Sequence, residues 1–148
     1  MTLRFSIDLG VNTLKGVLTL RQDDLLVEWR RYDMMDVPKG NLDSIAIPFS
    51  DIATISIRKR LILNPVVEVV AKSASTFASM PLPAGDLSTL RATVSRKDRA
   101  NAALWDAEAT LKIAEAMPGN GLAGGLAGGL AGSSPGDLPP PGPDRLSE

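Results

Sequence analysis

The sequence predicts a mainly β fold with one C-terminal α-helix: about seven short antiparallel strands in a sandwich or partly open barrel, closed by the helix. Three observations predict it. Apolar residues alternate with polar ones through the first 94 residues, the pattern of half-buried strands. At Ser95 the period lengthens to three or four residues and stays so until Pro118 and Gly119, as in an amphipathic helix. The strand patterns come in succession before the helix, which argues against βαβ units and a parallel sheet.

The elements follow in order. Leu3, Phe5, Ile7 and Leu9 alternate with Arg4, Ser6 and Asp8. Leu14, Gly16, Leu18 and Leu20 form a second run, and Leu25, Val27 and Trp29 a third. The turn between these two is Arg21-Gln22-Asp23-Asp24, so residues 14–31 read as a hairpin. Residues 36–41, with Pro38 and Gly40, read as a connecting loop. Ile45, Ile47 and Phe49 continue the pattern, and Pro48 marks a strand end or an edge because proline cannot donate to a ladder. Ser50-Asp51 reads as a turn or a single helical turn. Ile55, Ile57, Leu61 and Leu63 then share one face of a long strand, opposite Thr54, Ser56, Arg58 and Arg60. Asn64-Pro65 breaks it. Val67, Val69 and Ala71 make the sixth run. Residues 73–85 are uncharged, rich in Ser and Pro, and read as a loop. Leu90, Ala92 and Val94 make the last strand.

Ser95 and Asp98 have the spacing of a capping box, with Asp98 reaching back to the start of the helix and complementing its positive end. Ala100, Leu104, Ala107, Leu111 and Ala114 form the expected apolar stripe. A helix of about 20 residues is roughly 30 Å long, enough to lie across the open end or face of a small sheet.

Composition bounds the chemistry. The chain has 148 residues and neither cysteine nor histidine, so a disulfide framework, a Cys/His zinc site, a thiol nucleophile and an imidazole base are all excluded. Nine of the 13 glycines and six of the 11 prolines lie beyond residue 117. That divides the chain into a body, 1–117, and a low-complexity tail, 118–148. The tail holds one arginine against Asp137, Asp144 and Glu148, so the body keeps 15 of the 16 basic and 14 of the 17 acidic residues. A body so close to neutral, with aromatics at 4%, lacks the basic footprint and stacking platforms of a nucleic-acid binder. No basic n-region precedes an apolar run, and the expected location is the cytoplasm, which suits a chain without cysteine.

The order of motifs resembles the pleckstrin-homology-like (PH-like) superfamily, in particular its bacterial GRAM-like branch. Lys15-Gly16-Val17-Leu18-Thr19-Leu20 returning into Leu25-Leu26-Val27-Glu28-Trp29 looks like that branch's first hairpin. Ile47-Pro48-Phe49-Ser50-Asp51-Ile52 looks like its strand running into an Asp-Ile turn. Ala100, Leu104, Trp105 and Leu111 stand where the family has its closing helix. The resemblance spans about residues 3–117. It implies a seven-stranded antiparallel barrel, partly open and capped by the helix. It also implies a non-enzymatic binding module with a protein or peptide partner, contacted between the strands and the helix. The first hairpin loop departs from the phosphoinositide-binding pattern, because two carboxylates stand where that pattern has basic residues.

Arg58-Lys59-Arg60 is the densest basic run and the candidate contact site for a partner or a lipid. Strand alternation places Arg58 and Arg60 on one outward face and Lys59 on the other. The run reads either as a patch for an anionic lipid or an acidic partner, or as solvated charges that discourage edge pairing. Near an anionic leaflet two or three such residues supply about 2–3 kcal/mol, too little for stable recruitment alone. Arg30 or Arg31 is expected to pair with Asp33 or Asp36. Trp29 and Trp105 read as core. No pair of carboxylates or lysines has catalytic spacing, and Asp33 and Asp36 lack the regular oxygen spacing of a calcium loop. The expectation is therefore no enzyme, no cofactor, no metal and no small-molecule substrate. Gly119-Asn120-Gly121-Leu122-Ala123-Gly124 matches G-x-G-x-x-G formally, but a helix precedes it rather than a strand. Three Gly-Leu-Ala-Gly units over 121–132 read as a flexible tether, and the Pro-rich stretch after them as a short extended polyproline-like segment.

Overall fold

The computed structural model describes residues 1–83 and 87–117. The chain divides into two units, Met1–Ala116 and Met117–Glu148, and of the second only Met117 is described. The glycine-rich motif and the tether therefore lie outside the described residues.

Alternation produces strands where it is strict. They are β1 (Thr2–Asp8), β2 (Thr13–Leu20), β3 (Asp24–Tyr32), β4 (Pro38–Pro48), β5 (Ile52–Arg58), β6 (Val66–Ala71) and β7 (Thr89–Val94). All pairs are antiparallel, in the order β4-β3-β2-β1-β7-β6-β5. The two outer strands, β4 and β5, are not hydrogen-bonded to each other, so the sheet stays open. One helix follows, α1 (Ala102–Ala116), entered through a 3-10 segment, Arg96–Asn101. This is the fold class expected: a seven-stranded antiparallel sheet, partly open, with one C-terminal helix.

The inward residues of each strand close on one core. Leu3, Leu14, Leu18, Leu25, Val27, Val67, Val69, Leu90 and Val94 are all fully buried, and burial of this kind is the main driving force of folding. Gly16 on β2 makes room for the β3 backbone and for the Phe5 ring of β1. A Cβ there would lie 2.0 Å from the Glu28 carbonyl oxygen and 2.6 Å from the Phe5 ring. Phe5 stands opposite Gly16 in the register and fills the space that a side chain would need.

Six details depart from the sequence expectation. The strand β4 begins at Pro38, inside the expected loop 36–41. Trp29 opposes Asp43 but Arg31 opposes Lys39, so β4 carries extra residues at a bulge around Gly40, whose φ of 73° favours glycine. The strand β5 ends at Arg58 rather than running on to Leu63, and Leu61 and Leu63 share no strand face. Its own bulge falls between Ile52 and Thr54.

The loop 73–85 supplies core as well as connection. Phe77 is fully buried, Met80 nearly so, and the Phe77 N–H donates to the Leu87 carbonyl at 2.9 Å. The helix buries Ala102, Trp105, Ala109 and Ile113, and leaves the expected stripe of Ala100, Leu104, Ala107, Leu111 and Ala114 exposed. Both stripes have helical spacing. Trp105 decides between them, since its ring has the most apolar area to remove from water.

The capping box is half formed. The Ser95 hydroxyl accepts from the Lys97 N–H. Asp98 does not reach back to Ser95, because the Ser95 N–H already donates to the Arg4 carbonyl at 2.8 Å. Asp98 instead accepts from the Arg4 backbone N–H at 2.6 Å and from its guanidinium at 2.9 and 3.0 Å. This joins the helix entry to β1. The last departure concerns Arg30 and Arg31: Asp33 pairs with Lys39 and Asp36 with Lys15, so among the described residues neither arginine takes a carboxylate.

Candidate binding surface

The solvent face of the sheet carries a groove of about 640 Å³ across β7, β1, β2 and β3. Register builds it. Thr93 opposes Ser6, Ser6 opposes Lys15, and Lys15 opposes Arg30. Successive strands thus set two hydroxyls and two cations in one row, all half-buried. Arg4, Arg96 and Asn64 line the same groove, with Glu28 as its one carboxylate. Two like charges directly opposite each other are unfavourable in a sheet. Each is relieved differently. Lys15 Nζ lies 2.5 Å from Asp36 Oδ1 and 4.9 Å from the Tyr32 ring centre. Arg30 Nε donates to the Gly40 carbonyl at the β4 bulge, at 3.2 Å. Arg4 is held by Asp98. Among the described residues, Arg30 and Arg96 have no carboxylate partner.

The acid side of these pairs is tuned by them. The Arg4 guanidinium holds the Asp98 carboxyl below the ordinary carboxylate range, against the opposing effect of burial. Arg21 does the same to Asp24 at the β2–β3 turn. Asp33 is lowered by the N–H groups of Val37 and Met35, which close its loop. Asp106 on α1 goes the other way: burial raises it.

The basic run predicted as a site does not form a strand face. Arg58 is the last residue of β5, opposite Val66, and Lys59 and Arg60 lie in the loop that follows. All three are exposed, and none has an ion-pair partner among the described residues. The neighbouring Arg91 is paired with Glu68. Beyond Arg60 come Leu61, Ile62 and Leu63, which are 98%, 88% and 58% exposed. Asn64, at the end of this loop, lines the groove, so the two features adjoin.

Sequence reading missed the groove. Its four cations come from β1, β2, β3 and the helix entry, and no run of basic residues announces them. Only the strand register brings them together. Among the described residues there is no group of three or more Asp or Glu placed to hold a metal ion, and no helix long and apolar enough to cross a membrane. Comparison with family models, with curated proteins and with solved structures gives no match.

Proposed function

We propose that this chain is a non-enzymatic binding module of the PH-like superfamily, acting in the cytoplasm on a protein or peptide partner that carries acidic side chains. The row Thr93, Ser6, Lys15 and Arg30 carries the reading. Two cations and two hydroxyls at strand spacing suit an extended segment with carboxylates. Drug-sized ligands instead favour enclosed pockets, and this groove lies open on the sheet face. Strand order, the open edge between β4 and β5 and the Phe5–Gly16 contact support PH-like membership. The lack of Cys and His supports a role without catalysis, and the near-neutral body argues against nucleic acid.

The test is fluorescence polarisation with labelled glutamate-rich and lysine-rich peptides of equal length. The glutamate peptide should bind, and Arg30→Ala/Arg96→Ala should weaken it about tenfold or more, since hydrogen bonds to charged groups contribute about 1.5–3 kcal/mol. Equal binding of both peptides, or an unaffected double variant, contradicts the reading.

A second reading, a peripheral membrane module using Arg58, Lys59 and Arg60, has its own support. These are three exposed cations without a carboxylate partner among the described residues, standing next to three exposed aliphatic residues.

A further inference from the structure

Leu61, Ile62 and Leu63 are placed where the fold gains nothing from them. Scattered surface leucines are ordinary, but three consecutive bulky aliphatic side chains with so little of the chain against them form a patch that marks an interaction site. The loop that carries them is clamped at its base. Arg58 pairs with Val66 in the β5–β6 ladder, and the Pro65 carbonyl accepts from the Val94 N–H at 2.8 Å. The tip is therefore presented on a fixed stem.

Its surroundings select the partner. Arg58, Lys59 and Arg60 lead directly into the tip, and Asn64 connects it to the groove that Arg4 and Arg96 line. An aliphatic tip led into by three cations that have no ion-pair partner among the described residues matches an anionic bilayer: acyl chains take the tip and lipid phosphates and carboxylates face the cations. A second exposed apolar tip, Met34 and Met35, lacks these cations. Its neighbours Asp33 and Asp36 are acids, each matched by one lysine.

From this we infer that the loop 59–64 inserts Leu61, Ile62 and Leu63 into the interfacial layer of an anionic membrane while Arg58, Lys59 and Arg60 contact its headgroups. The inference rests on the membrane reading above and adds to it the part that enters the bilayer. Charge and insertion act in series. Cations draw the loop to the surface over roughly a Debye length, about 10 Å at 0.1 M salt. Apolar burial, which salt does not screen, then holds it.

The experiment is co-sedimentation of the full chain with phosphatidylcholine vesicles, with and without phosphatidylserine. It compares the wild type with Leu61→Ser/Ile62→Ser/Leu63→Ser and with Arg58→Glu/Lys59→Glu/Arg60→Glu. Melting curves verify that both variants fold, and light scattering without vesicles checks for a dimer. The wild type should bind the phosphatidylserine vesicles, and each triple variant should bind at least about tenfold more weakly. Serine substitution without effect, alongside loss on charge reversal, overturns insertion and leaves the surface reading standing. No binding by the wild type overturns both. A vesicle-independent dimer abolished by the serine substitutions overturns the membrane as the tip's partner.

Discussion

Two aliphatic and aromatic sets in this molecule have similar chemistry and opposite fates. In the core, Trp105 of α1 and Phe77 and Met80 of the segment before β7 lie almost wholly out of water. In the β5–β6 loop, Leu61 and Ile62 lie almost wholly in it and Leu63 more than half. The first set is explained by folding alone. The second is not, since the folded chain by itself gains nothing from the exposure. Stability and contact are thus assigned to different residues, and substitutions should separate them.

The largest effect should fall on the core side. Trp105→Ala removes the fully buried ring of α1 and should lower stability by about 3–5 kcal/mol, measured by urea unfolding. A cost below about 1 kcal/mol would mean that the helix is not seated on the core as described.

The joint between β1 and the helix entry comes next. Asp98→Asn should cost about 2 kcal/mol at neutral pH, since it discharges a buried acceptor of charge-assisted bonds. The Asp98 carboxyl is lowered in the folded chain, so its contribution is present above the unfolded value near 3.9 and is lost as pH falls through the folded value. Wild-type stability should fall along that acid limb, and Asp98→Asn should flatten it. An unchanged limb would remove the Arg4–Asp98 pair from the account.

Asp106 has the opposite sign. Its raised value means that stability is greatest below the unfolded carboxylate range and declines as pH rises through the folded value. Asp106→Asn should therefore stabilise the chain slightly at neutral pH, by up to about 1 kcal/mol, visible as a higher melting temperature. A lower one would mean that the carboxylate has a partner in solution.

The smallest stability effect belongs to the loop. Leu61→Ser/Ile62→Ser/Leu63→Ser should stay within about 0.5 kcal/mol of the wild type in urea unfolding, the range for substitutions away from packed features. A loss comparable to that of Trp105→Ala would show that the tip is part of the core.

Most of the frame was legible because period-two alternation is a direct record of which face is buried. The hairpin over 14–31 followed from succession, the pairing of β1 with β7 and the break between β4 and β5 did not, and Pro48 marked a real strand end. The failures share a cause: the signal was present but not unique. Ala100, Leu104, Ala107 and Leu111 repeat at helical spacing as well as Ala102, Trp105, Ala109 and Ile113 do, and only the size of Trp105 separates them. Leu61 and Leu63 continue the parity of Ile55 and Ile57, so alternation alone could not end β5 at Arg58. Phe77, isolated among serines and prolines, had no period at all. The groove was least legible, because Ser6, Lys15, Arg30 and Thr93 are brought into one row by register and lie far apart in the chain.

The contrast between the two exposed apolar tips can be measured directly. The chain has no cysteine, so Ile62→Cys and Met34→Cys each accept a single environment-sensitive nitrobenzoxadiazole label. On adding phosphatidylserine-containing vesicles, the label at position 62 should brighten and shift to the blue as it leaves water, while the label at 34 should not change. Equal responses at the two positions, or none at 62, would contradict the assignment of contact to the β5–β6 loop.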